Sequence, residues 1–124
     1  MKRVLLLLVL AGCPKGMNSA GGGFRVFFPD ADAMNTLHYT VGAHSQAKPS
    51  ADCKVNGVDA RWATTGAQVT TGLLPPGMQM EDGAIVGVPS AAGTYKATIR
   101  YTGVTCGATP TDDKLVHVTI VVSG

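Results

Sequence analysis

Beyond residue 24 the chain consists of short runs rich in β-branched and aromatic residues, separated by Gly, Pro, Asn and Asp at the intervals expected of an all-β sandwich or barrel. Tyr95, Ala97, Ile99 and Tyr101 alternate with Lys96, Thr98 and Arg100, which predicts a strand whose first set faces a core. The same period of two turns Leu37, Tyr39 and Val41 inward, and His38 and Thr40 outward. In the final run, Val116, Val118, Ile120 and Val122 share one face, opposite Leu115, His117, Thr119 and Val121. Because Leu115 and Val121 make that run apolar on both faces, it suits either cover by its own sheet or pairing with a partner's strand. Residues 24–28 end at Pro29 and read as an edge strand. Asn56-Gly57 marks a turn ahead of Arg61-Trp62-Ala63, and Glu81-Asp82-Gly83 marks a hairpin between Met78/Met80 and Ile85. Pro75-Pro76-Gly77 fixes two φ values and then admits a positive one, making a stiff corner. The strand around Ile85 closes at Gly87 to Pro89 and reads as a second edge. Trp62 fits a core position better than an exposed ligand platform. No stretch of ten residues combines helical periodicity with caps, so helix content is expected to be close to nil.

The first residues follow a different pattern. Lys2 and Arg3 precede an apolar run from Val4 to Leu10, then the small residues Ala11 and Gly12 and the cysteine Cys13. This is the layout of a secretory signal, and the run is about half the ~20 apolar residues of a membrane-spanning helix. The formal charge of +2 is accounted for by Lys2 and Arg3, so the exported remainder is neutral and lacks the basic excess that nucleic-acid binding requires. At 124 residues, with 45% hydrophobic and only 15% charged positions, the chain holds one core and is neither disordered nor coiled coil.

The tetrad Leu10-Ala11-Gly12-Cys13 resembles the lipobox of bacterial lipoproteins, in which the cysteine thiol receives a diacylglycerol and the preceding peptide is removed. The resemblance implies a signal peptide at 1–12 and an acylated Cys13 as the mature N-terminus, with several acyl chains giving a stable membrane anchor. Pro14 stands where lipoproteins retained at the inner membrane usually carry Asp, which implies transfer to the outer membrane of a two-membrane bacterium. Residues 13–23 then form a lipidated, glycine-rich tether, of which 14–23 reach about 16–19 Å, and 24–124 form the domain. With Cys13 lipidated, the odd count of three cysteines becomes a pair, Cys53 and Cys106, and in an oxidising envelope that pair is expected as a disulfide.

A second resemblance lies at Trp62-Ala63-Thr64-Thr65-Gly66, Gly72-Leu73-Leu74-Pro75-Pro76-Gly77-Met78, Gly83-Ala84-Ile85-Val86-Gly87-Val88-Pro89 and Ala92-Gly93-Thr94-Tyr95. In this order the segments resemble the immunoglobulin-like modules of bacterial surface proteins. The resemblance covers about a third of the chain and implies an immunoglobulin-like β-sandwich of about seven antiparallel strands, with Tyr95 at a tyrosine corner. On that topology the Trp62 strand pairs with the strand from 94 to 101, and Cys53 and Cys106 flank neighbouring ends.

Catalytic signatures are absent: there is no G-x-S-x-G, H-E-x-x-H or Walker-type motif, and Gly21 to Gly23 lack the strand, the Lys-Ser/Thr pair and the helix of a phosphate loop. His38 and His117 fall on outward faces, where solvated side chains are the ordinary reading over a metal site. Asp30, Asp32, Asp112 and Asp113 suit exposed turns better than a calcium site, having no EF-hand spacing. The expectation is a non-enzymatic protein without cofactor or metal, anchored in the bacterial envelope by its N-terminal lipid. Two roles follow: a module for binding or adhesion toward a protein or polysaccharide at the cell surface, or a small structural subunit of a secretion, pilus or phage-related assembly.

Overall fold

The computed structural model describes residues 24–124; the leader at 1–12, Cys13 and the tether at 13–23 lie outside the described residues. In chain order the strands are β1 (Val26–Phe27), β2 (Thr36–Thr40), β3 (Ser45–Ala47), β4 (Ser50–Ala51), β5 (Lys54–Val55), β6 (Val58–Asp59) and β7 (Trp62–Ala63). They continue with β8 (Gly66–Gly72), β9 (Met78–Glu81), β10 (Ala84–Gly87), β11 (Gly93–Thr102), β12 (Thr105–Cys106), β13 (Thr109–Pro110) and β14 (Lys114–Ser123). No helix occurs among the described residues. The seven strands of three or more residues make two sheets, ordered β2-β14-β11-β8 and β3-β10-β9, and two-residue strands trim their ends.

Both sheets contribute to one hydrophobic cluster, which makes the domain a β-sandwich. From the first sheet come Leu37, Ile99, Tyr101 and Ile120; from the second, Ala47, Met78 and Ile85; Phe24, Val26 and Phe28 close one side. Each fully buried Leu, Ile or Val contributes about 1.5–3 kcal/mol. The alternation along β11 and β14 is realised as expected: Ala97, Ile99, Tyr101, Val116, Val118, Ile120 and Val122 are buried, while Lys96, Arg100 and His117 face solvent. The two strands run antiparallel from Gly93 opposite Val122 to Tyr101 opposite Lys114.

Three expectations are corrected. The sandwich is not wholly antiparallel: β2 runs parallel to β14, with Thr36 opposite Thr119 and Thr40 opposite Ser123. No hairpin joins these strands, so nothing in the connection imposes opposite directions. Of the two readings of β14, cover by its own sheet holds along this stretch, because it lies between β2 and β11. Likewise β10 is central, held by β3 and β9, which explains why Ala84, Ile85 and Val86 are all buried. Finally, the Trp62 strand does not pair with β11; β8 does, and β7 pairs with β12 beyond it. The break falls at Thr64-Thr65, where the Thr64 hydroxyl donates to the Thr102 carbonyl at 2.6 Å and the opposing chain kinks at Gly103, φ 60°.

The proline corner has a structural explanation in backbone crowding. The Val88 amide donates to the Gly77 carbonyl (3.1 Å) and the Ser90 amide to the Pro76 carbonyl (2.9 Å), so these segments run side by side. Gly77 has φ 92°, and a Cβ there would run into the Val88 carbonyl; one on Gly87 would meet the Gly77 carbonyl. Pro75 and Pro89 are fully buried beside them. At the next corner the Tyr95 hydroxyl donates to the Ala91 carbonyl at 3.0 Å, as in a tyrosine corner.

Tyr39 is less well provided for. Its hydroxyl oxygen is buried with no hydrogen-bond partner among the described residues, and burial pushes the phenol up to about 12. Tyr39→Phe removes a desolvated group that nothing repays, so it is expected to melt at the same temperature or a few degrees higher. A loss above about 1 kcal/mol would reveal a partner for the hydroxyl.

Candidate functional site

A polar cleft opens where the Trp62 strand faces the β9–β10 hairpin. The Asn56-Gly57 turn (φ 53° and 78°) folds β5 back along β6 and delivers the chain to β7. There Trp62 lies opposite Cys106. Cys106 is bonded to Cys53 in a disulfide with 1.99 Å between the sulfurs and 5.6 Å between the Cα atoms, so the expected pair forms. On the other side Asp82 and Gly83 make a two-residue turn, both with positive φ (50° and 83°), joining β9 to β10. β3 brings Gln46 opposite Val86, and Lys48 and Pro49 follow it to the rim. The resulting cleft measures about 540 Å³ and is lined by Trp62, Thr64, Gln46, Lys48, Glu81 and Asp82, among others. A smaller one of about 290 Å³ shares Thr64 and Asp82 with it and continues toward Ala67 and Met80.

Tyr101 connects the two walls. It is fully buried, its ring meets that of Trp62 edge-on at 6.3 Å, and its hydroxyl donates to the Gly83 carbonyl at 2.8 Å. Burial raises its phenol far above the usual tyrosine value, so the hydroxyl stays a donor. Trp62 thus divides its surface: part packs on the core, as the sequence leads one to expect, and part borders the cleft. Gln46, Lys48, Glu81 and Asp82 are exposed and carry no ion pair among the described residues.

The chain matches no protein-family model, and no curated protein is significantly similar to it in sequence.

Other candidates from the sequence stay apart. His38 contacts Asp32 at 3.1 Å and His117 contacts Thr98 at 2.9 Å, on different strands. Asp32 folds its own loop, accepting from the Met34 amide at 2.8 Å; with the His38 ring as the larger cause, its carboxyl lies below the usual value. Asp113 holds Arg100 at 3.1 Å. Among the described residues no three His, Cys, Asp or Glu side chains come together as a metal site. Cys13 lies outside the described residues.

Asp52 yields a pH prediction. The Arg25 amide bonds its carboxylate at 2.7 Å and the Arg25 guanidinium at 3.3 Å, which together hold it below the ordinary value of 3.8 against a smaller opposing effect of burial. A depressed carboxyl stabilises fully above its unfolded value and ceases to do so as pH falls through its folded one. Melting temperature should therefore decline below about pH 4, and Asp52→Asn should flatten that decline, with an effect under about 1 kcal/mol for so exposed a pair. Melts from pH 5 to pH 2 test this; an unchanged acid limb in the variant excludes Asp52 as a contributor.

The cleft was not legible in the sequence. Glu81 and Asp82 read as turn residues and Trp62 as core, and nothing local says that three separate segments converge. The one available signal was the Asp82-Gly83 turn, which fixes where Asp82 must stand.

Proposed function

We propose that the protein is a lipid-anchored component of the bacterial envelope, tethered through Cys13 at the outer membrane and presenting one immunoglobulin-like domain for non-catalytic binding at the cell surface. The observation that carries the reading is the Leu10-Ala11-Gly12-Cys13 tetrad placed between an apolar leader and a domain whose other two cysteines are bonded to each other. A free thiol in an oxidising compartment is a liability, and acylation removes the only one left. The β-sandwich architecture, Tyr95 at its corner and the Gly77/Gly87 crowding support the immunoglobulin-like assignment. For binding, the support is the Trp62 cleft, which has the size and the mixture of aromatic and polar groups common to ligand sites.

Cys13→Ser is expected to move the protein from the membrane fraction to an uncleaved or soluble pool. Unchanged fractionation excludes lipidation as the anchor. Crosslinking in intact cells then separates the two roles. Surface glycan, or many unrelated proteins with none in fixed ratio, supports the binding module; one stoichiometric protein partner makes the chain an assembly subunit instead. The second role draws some support from β8, which ends the four-stranded sheet and carries no charged residue to deter a partner's strand.

A further inference from the structure

We infer that the cleft between Trp62 and the β9–β10 turn is a saccharide site that takes a linear oligosaccharide. This rests on the binding-module reading and names its ligand. Trp62 supplies an aromatic wall at the cleft. Around it stand groups of both hydrogen-bonding senses: the carboxylates of Glu81 and Asp82 only accept, Lys48 only donates, and the Gln46 amide does both. A hydroxyl is donor and acceptor at once, so a ring bearing several of them can satisfy this set completely. A cationic peptide would gain from the aromatic ring and the carboxylates but would meet Lys48, whereas an anion would meet two carboxylates. An uncharged polyol meets neither conflict.

Shape and rigidity point the same way. The larger cleft, of about 540 Å³, adjoins the one of about 290 Å³ along Thr64 and Asp82, and by itself leaves room for more than one sugar unit. The walls are set in advance: Asp82 stands in a tight turn whose Gly83 carbonyl is held by Tyr101, and the same tyrosine packs against Trp62. A site already ordered spends little of its interaction energy on organising itself, which matters for a ligand that offers mostly weak polar contacts.

The test uses the full chain in a non-glycosidic detergent, titrated with linear tetrasaccharides of glucose, of N-acetylglucosamine and of a uronic acid, and with a lysine-rich peptide. Trp62 is the only tryptophan in the chain, so its emission reports the cleft directly. Amide spectra show whether shifts are confined to Gln46, Trp62 and the 81–83 turn. A saturable change with a neutral or N-acetylated tetrasaccharide is expected, weakened about tenfold or more in the exposed double variant Gln46→Ala/Glu81→Gln at unchanged melting temperature. If no tetrasaccharide moves these signals, or only the peptide or the uronic acid does, the saccharide assignment is overturned. The binding-module reading falls separately, if crosslinking returns one stoichiometric partner.

Discussion

Replacing Cys53 and Cys106 together by alanine will lower the stability of the domain by about 4 kcal/mol, the loop-closure value for their sequence separation of 53. For a domain of this size that corresponds to a fall in Tm on the order of 15–20 °C. Set against a total of about 5–15 kcal/mol for ordinary domains, such a loss leaves the protein close to unfolding at physiological temperature. The damage should be greatest locally, since β5–β6 and β13-β12-β7 are two-residue strands that could not hold together by pairing alone. Trp62 lies opposite Cys106, so its emission should shift to the red before the main transition. Melting with and without reductant, alongside the double variant, checks both statements. A loss under about 1 kcal/mol would mean that the unfolded chain is already compact without the bridge.

Tyr101→Ala should cost about 3–5 kcal/mol, the range for deleting a fully buried aromatic side chain. Tyr101→Phe isolates the hydroxyl: it leaves the ring against Trp62 but strips the buried Gly83 carbonyl of its donor, at a cost of about 1–2 kcal/mol. Chemical denaturation of both variants separates the packing part from the hydrogen bond. Equal losses would show that the ring contributes nothing beyond its hydroxyl.

What could be read from the sequence was whatever the pleat alone dictates. Tyr95, Ala97, Ile99 and Tyr101 occur at every second position, and a strand has no other way to arrange them than on one face. The turns at Asn56-Gly57 and Asp82-Gly83 were equally plain, because a type I′ hairpin turn needs positive φ at both central positions and Asn-Gly and Asp-Gly supply it most readily. Strand neighbours were not, since hydrogen-bonded partners leave little trace in the residues that they join. β10 looked like an edge because Pro89 follows it, yet the proline lies past the end of the ladder, where no amide is needed. The parallel alignment of β2 with β14 depends on the course of the whole intervening chain. β7 and β12 are too short to show any period, so the partner of Trp62 could come only from the structure, and with it the cleft.

The disulfide also has a mechanical consequence. Arg25, next to the point where the chain enters the domain, is stitched to Asp52 through its amide and guanidinium, and the Asp52 amide returns a bond to the Arg25 carbonyl. The next residue, Cys53, is joined covalently to Cys106, the cross-strand neighbour of Trp62. Tension applied between the entry at residue 24 and a ligand held at Trp62 therefore crosses the molecule by a short path that includes a covalent bond. A pull on an occupied cleft is thus shared between the sulfurs and the seat of Phe24 under Lys114 at the start of β14.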